Sequence, residues 1–109
     1  MPVEFINPDD LSAPTSYSQV AVATGSRLVF IAGQTADDSE GRLVGPGDLA
    51  VQARQAFSNL GRALDAAGAA PDQVAKITIY VVDHRPEDLP LISQARIAVF
   101  GDHKPPTRC

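Results

Sequence analysis

The alternation of apolar and polar positions first indicates two short strands near the start of the chain. After a loop-like beginning, residues 19–23 (QVAVA) and 27–32 (RLVFIA) are rich in Val and Ile, a composition typical of β-strands. The segment Thr24-Gly25-Ser26 between them predicts a hairpin. Residues 33–47 (GQTADDSEGRLVGPG) then have the composition of a loop, with Leu43 and Val44 as a short strand or bulge inside it. A loop of this length is often functional.

The clearest pattern in the chain is that of an amphipathic helix. Asp48 is a suitable N-cap for it, and Gly68 a suitable C-terminal stop. Between them apolar residues recur at helical spacing, which predicts a helix that packs on one side only. These residues are Leu49, Ala53, Ala56, Phe57, Leu60, Ala63, Leu64 and Ala67.

A third strand and a second helix follow. Residues 76–83 (KITIYVVD) are apolar on both faces, which predicts a central strand covered on both sides, with Tyr80 in the core. Asp88 can cap the second helix, because Pro90 is tolerated in a first turn, and Gly101 ends it. The predicted buried stripe of this helix comprises Leu89, Ile92, Val99 and Phe100.

The order of these elements defines the fold class. Strand, strand, helix, strand, helix predicts an α+β domain over residues 1–109, a mixed β-sheet with two helices packed on one face. A second helix of this kind normally returns the chain to the sheet. The sequence ends before a returning strand, so we expect the C-terminal strands to be missing from it.

Composition and charge argue against some classes of function. The chain has 109 residues, 44% of them apolar, which suits one small core. A net charge of −4 with scattered basic residues argues against a nucleic-acid partner. The N-terminus lacks the pattern of a signal peptide, and no apolar run is long enough for a membrane span. We therefore expect a cytoplasmic protein with no membrane partner.

Few residues offer obvious chemistry. His84 and His103 are far apart in sequence and Cys109 is the single cysteine, so no zinc-type spacing exists and we expect no metal site. Cys109 is either a reactive thiol beside a cation or a passive strand residue. The terminal KPPTRC segment places Arg108 behind two prolines that restrict the backbone. Arg108 is either positioned to bind a carboxylate through its planar guanidinium or is an exposed tail residue; composition alone favours the second.

A family resemblance favours the carboxylate-binding interpretation of Arg108. The matching blocks are SYSQ around Tyr17, LVFIAGQ (28–34), QARQAFSNLGRALDAAG (52–68), VAKITIYVVD (74–83) and PPTR (105–108). In their order and spacing the chain resembles the Rid family, the YjgF-type reactive-intermediate deaminases, also called endoribonuclease L-PSP. The resemblance covers nearly the whole chain.

The resemblance implies a chorismate-mutase-like α+β fold assembled as a homotrimer, with a cleft at each subunit interface. Active members hydrolyse enamine and imine acids such as 2-aminoacrylate and 2-iminobutanoate without a metal or organic cofactor. It implies that Arg108 binds the substrate carboxylate, that Tyr17 lines the same cleft as a second catalytic residue, and that Gly33 places its backbone against the ligand.

Some positions depart from the pattern of active members. Ala32 stands where these usually have a serine, and Ser93 aligns with a common asparagine whose hydrogen bond it can still donate. Both are predicted substrate-binding positions. The glutamate that positions water on the last strand of active members has no counterpart in this chain. Three hypotheses remain open: an imine deaminase, a trimeric module that binds small carboxylates without turnover, and, weakest, an endoribonuclease or translation inhibitor.

Overall fold

A computed structural model describes residues 3–14 and 16–108 as an α+β fold, which confirms the predicted fold class. Its strands and helices are β1 (Val3–Ile6), β2 (Val20–Ala23), α1 (Leu49–Ala66), β3 (Ile77–Thr78), α2 (Leu89–Phe100) and β4 (Thr107–Arg108). Single 3₁₀ turns at Pro71–Gln73 and Pro86–Asp88 precede β3 and α2. The strands form two separate pairs, one antiparallel and one parallel.

The first pair corrects the predicted hairpin. Strand β2 pairs antiparallel with β1, with Val3 opposite Ala23 and Ile6 opposite Val20. Residues 27–32 belong to no strand in the described part of the chain, and Leu28 and Phe30 are 83% and 88% exposed. Valine and isoleucine favour extended backbone but do not select a partner. The start of the chain, expected to be a loop, supplies that partner.

Helix α1 confirms the prediction from periodicity. The Asp48 carboxylate accepts a hydrogen bond from the backbone N–H of Val51 at 3.1 Å, so the predicted N-cap is made. The helix ends at Ala66, and Gly68 follows with a φ of 72°, the left-handed conformation that commonly terminates helices. Phe57 and Leu64 are its buried residues.

The third strand is shorter and more open than predicted. Of residues 76–83, Ile77–Thr78 alone form a ladder, parallel to Thr107–Arg108. Ile77 is buried, whereas Tyr80 and Val82 are 93% and 90% exposed. The prediction of a strand covered on both sides, with Tyr80 in the core, is therefore wrong. Alternate side chains point to opposite faces, and the helices cover one of them.

Helix α2 begins and ends where predicted, and the core lies beneath it. Asp88 makes no side-chain cap on α2, because its carboxylate accepts from the Arg85 N–H at 3.1 Å in the preceding turn. Leu89 is 47% exposed, so it contributes less to the buried stripe than expected. The buried core cluster comprises Phe57, Ile77, Ile92, Ala95 and Phe100. Over the described ranges, neither helix has the length and hydropathy of a membrane span.

The long loop before α1 is anchored to that helix. The Asn59 amide donates to the carbonyl oxygens of Thr35 (3.0 Å) and Asp37 (2.8 Å). The Gln55 amide donates to the same Asp37 carbonyl at 3.1 Å. The short strand expected at Leu43 and Val44 is reduced to an isolated antiparallel bridge between Asp37 and Leu43. These contacts hold polar residues of the loop against the polar face of α1.

Gly45, at the end of this loop, gives a first testable prediction. Its φ is 68°, and a Cβ added there would lie 2.5 Å from Cγ1 and 2.8 Å from Cβ of Val51. Gly47 has a similar φ of 73° but open space around it. Both alanine variants carry the cost of a left-handed backbone, so the clash should destabilise Gly45→Ala by about 1–3 kcal/mol more than Gly47→Ala.

Urea denaturation of the two variants measures this difference. Equal free energies of unfolding for Gly45→Ala and Gly47→Ala would contradict the close approach of Gly45 to Val51.

Candidate functional site

A cleft of about 310 Å³ lies between α2, the strand pair β3–β4 and the segment before β2. It brings together two side chains that the sequence predicted for one site, Tyr17 and Ser93. Its lining residues are Ser16, Tyr17, Ile79, Leu89, Ile92, Ser93, Arg96 and Thr107. The lining thus combines apolar residues from α2 and from the segment after β3 with four residues that carry hydroxyl groups and with one arginine.

Tyr17 is held at the cleft by its neighbours in sequence. Ser18 is 5% exposed, so the chain enters the protein directly after Tyr17. The Gln19 backbone N–H then donates to the side chain of Asn7 at 2.8 Å, and the Gln19 amide donates to the Ser12 carbonyl at 2.9 Å. These bonds tie the Tyr17 segment to the loop after β1, which explains why a residue outside any helix or strand has a defined place.

The proline-rich segment is seated in the fold. Pro105 is among the fully buried residues, less than 2% exposed. The Ile77 N–H donates to the Pro106 carbonyl at 2.9 Å, and the Thr107 hydroxyl donates to the Pro105 carbonyl at 2.8 Å. The backbone of Arg108 continues β4 directly after Thr107, a lining residue. The side chain of Arg108 and the whole of Cys109 lie outside the described part of the chain.

Helix α2 contributes a residue that the sequence analysis did not single out. Arg96 is 5% exposed and lines the cleft beside Ser93. Its Nη1 atom is buried without a hydrogen-bond partner among the described residues. The signal was present in the sequence, because Arg96 lies four residues after Ile92 and four before Phe100, both buried. An arginine between two core positions of one helical face is expected to be buried too.

The electrostatics of the cleft favour anions. No Asp or Glu is among the described residues that line it, and Arg96 is the one formal charge they carry. The hydroxyls of Ser16, Tyr17 and Ser93 can donate or accept hydrogen bonds, whereas that of Thr107 already donates to the Pro105 carbonyl and can only accept. A cavity with apolar walls strengthens such interactions, because its effective dielectric constant is lower than that of water. The arrangement suits a small organic acid with an apolar part.

Two predicted site residues lie elsewhere within the single chain. Gly33 lines a more open cavity of about 710 Å³, together with the anchored loop and the polar face of α1. Ala32 lines neither of these two cavities; its carbonyl accepts from the Gln34 amide at 3.0 Å. Ala32 and Gly33 therefore do not share a cleft with Tyr17 and Ser93 in one subunit. Within residues 3–14 and 16–108, no cluster of three His, Asp or Glu residues is arranged to hold a metal ion.

Comparison with known families assigns the fold to a class. The family model described as "Endoribonuclease L-PSP" matches residues 8–109, which is nearly the whole chain. This match includes both helices, the cleft and the terminal PPTR segment. The chain belongs to this family, the Rid proteins, as its resemblance predicted.

Individual relatives and a solved structure support this family assignment. A RutC family protein of Pyrococcus horikoshii is 36% identical over 82% of this chain and 68% of its own length. A 2-iminobutanoate/2-iminopropanoate deaminase of Rattus norvegicus is 41% identical over 62% of this chain and 48% of its own. The chain thus spans about half to two thirds of these relatives. The crystal structure of YyfB, a Rid-family protein of unknown function from Yersinia pestis, aligns with a TM-score of 0.90 at 33% identity, covering 99% of this chain and 84% of its own.

Proposed function

We propose that this protein hydrolyses reactive 2-enamine and 2-imine acids, such as 2-aminoacrylate and 2-iminobutanoate, to 2-oxo acids and ammonia in the cytoplasm. The observation that carries the proposal is the convergence of Tyr17 and Ser93 on one cleft, at the edge of which the PPTR segment ends. The family membership and the relatives named as deaminases support it.

In this proposal Arg108 binds the carboxylate of the substrate. A guanidinium and a carboxylate form two parallel charge-assisted hydrogen bonds, which fix both position and orientation. The buried Pro105 and the paired backbone of β4 restrict the segment that leads to Arg108. Little backbone entropy is then left to lose when the acid binds.

The hydroxyl groups of the cleft complete the reaction. An imine carbon is already electrophilic, so fixing the acid and placing a water beside that carbon supplies most of what hydrolysis needs. We assign Tyr17 and Ser93 to hydrogen bonds with this water and with the imine nitrogen. Water adds to the carbon, the carbon–nitrogen bond breaks, and ammonia leaves together with the 2-oxo acid.

The proposal includes a homotrimer with sites between subunits. Large apolar side chains are exposed on the single chain, including Leu28, Phe30, Tyr80 and Val82. A contiguous exposed apolar patch is typical of an interaction site, and in this proposal these side chains form one between subunits. In such a trimer, Gly33 and Ala32 would line the cleft of a neighbouring subunit. Sedimentation equilibrium measures the assembly state, and a monomer at every concentration tested would contradict this part.

The activity is tested by generating 2-aminoacrylate in the cuvette with a cysteine desulfhydrase or serine dehydratase and following 2-oxo acid release. We expect release faster than the uncatalysed rate and proportional to the concentration of this protein. A rate unchanged by the protein would overturn the deaminase proposal.

A second candidate function is carboxylate binding without turnover. It is favoured by the absence of Asp, Glu and His from the described lining of the cleft, because proton transfer usually calls for such a group. Calorimetry with 2-oxobutanoate or benzoate separates the two functions. Binding that depends on Arg108, together with no acceleration of 2-aminoacrylate hydrolysis, would establish the binding module.

A further inference from the structure

Arg96, whose buried Nη1 atom has no hydrogen-bond partner among the described residues, is the residue of the cleft that the proposed reaction does not use. Arg96 is more than nine-tenths buried, at 5% exposure, and lines the cleft together with Tyr17, Ser93 and Thr107. Among the described residues no hydrogen-bond acceptor reaches its Nη1 atom. No acidic side chain stands among the described lining residues to balance its charge.

A buried cation of this kind calls for an anion. Arginine keeps its charge in proteins, so it cannot escape the cost of burial by losing a proton. Leaving a buried charged group without an acceptor costs far more than leaving a neutral one. The hydroxyl groups of the cleft are uncharged, so they cannot neutralise the positive charge of Arg96. The acceptor that fits is a negatively charged group on the ligand.

We propose that Arg96 binds a second acidic group of the substrate, so that the preferred substrates are 2-imino dicarboxylic acids, such as the imine of 2-oxoglutarate. This inference rests on the proposed function, in which Arg108 holds the carboxylate beside the imine. Water adds to the imine carbon, the carbon–nitrogen bond breaks and ammonia leaves. The second carboxylate is unchanged.

The apolar wall of the cleft agrees with this substrate class. Ile79, Leu89 and Ile92 line the cleft beside Arg96 and the hydroxyl groups. A dicarboxylic acid carries methylene groups between its two charged ends, and these can contact such a wall. A monocarboxylic acid would leave the Arg96 guanidinium without its partner, which lowers its affinity relative to the diacid.

Calorimetry with 2-oxobutanoate and 2-oxoglutarate tests the inference on the parent chain and on Arg96→Met. Methionine keeps much of the side-chain volume and removes the charge. We expect the parent chain to prefer 2-oxoglutarate, and Arg96→Met to lose roughly ten- to hundredfold in affinity for 2-oxoglutarate while 2-oxobutanoate changes less than threefold. The matched control is Arg54→Met, at an exposed position of α1.

The outcomes separate this inference from the proposed function. Equal losses for both acids in Arg96→Met, or no loss for either, would overturn the role of Arg96 while leaving the Arg108-dependent site intact. Failure of the parent chain to bind either acid would overturn both. Thermal denaturation of Arg96→Met provides a further check, because removal of an unpartnered buried charge should not lower the melting temperature. A marked loss of stability would show that Arg96 is paired within the protein instead.

Discussion

Replacing Arg108 with alanine is expected to abolish measurable binding of 2-oxobutanoate and hydrolysis of 2-aminoacrylate while the fold is retained. The loss of one partner from a desolvated charge pair costs about 2–5 kcal/mol, or roughly thirty- to several-thousandfold in affinity. The backbone of β4 explains why the fold should survive. The Ile77 N–H donates to the Pro106 carbonyl, and the β3–β4 ladder is formed by backbone groups that the substitution keeps.

Arg108→Lys sharpens this test. Lysine keeps the positive charge but presents no planar fork, so we expect partial loss, between the parent chain and Arg108→Ala. Arg54→Ala, at the exposed position of α1, controls for the change in net charge. If Arg108→Ala bound 2-oxobutanoate as well as the parent chain does, Arg108 would not be the carboxylate-binding residue.

The helices were predictable because their signals are local. The Asp48 cap, the 3.6-residue spacing of apolar positions and Gly68 all lie within the segment that they define. The structure reproduces each of them. For helix α2 the local sequence was not sufficient, because it allows Asp88 to cap either the helix or the preceding turn. It caps the turn through the Arg85 N–H.

Strand pairing was less predictable because it joins segments distant in sequence. Residues 27–32 have the composition of a strand, yet β2 pairs with β1. Residues 76–83 are apolar on both faces, yet one face remains exposed at Tyr80 and Val82. The composition of a segment indicates whether it tends to be extended or buried. Which other segment it pairs with or packs against is determined by the tertiary structure.

The candidate site also contains residues that the sequence predicted and one residue that it did not. Tyr17 and Ser93 were selected through family motifs, and the fold brings them to one cleft although 76 positions separate them in the sequence. Arg96 was overlooked because an arginine on a helix is usually solvent-exposed. Its position midway between Ile92 and Phe100 was the available clue. The helical register therefore had to be applied to charged residues as well as to apolar ones.

Phe100 is the position where we expect the largest loss of stability. It is 5% exposed, it meets the Phe57 ring edge-on with centroids 6.2 Å apart, and it stacks at 6.5 Å on His103. Truncation to alanine leaves a cavity where both helices meet. We expect Phe100→Ala to lower the free energy of unfolding by about 3–5 kcal/mol, a large part of what holds a domain of this size together.

Phe30→Ala is the matched control for Phe100→Ala, because it removes the same side chain from a site that is 88% exposed on the single chain. In the single subunit, at a concentration too low for the proposed trimer to assemble, its effect on stability should stay within about 0.5 kcal/mol. Urea denaturation measures both variants, with an unchanged m-value as the sign that the denatured state is comparable. If Phe30→Ala cost as much as Phe100→Ala, the Phe30 ring would be buried against another surface. The same result at low protein concentration, where a trimer dissociates, would place Phe30 in the core of the subunit and contradict the fold described for residues 27–32.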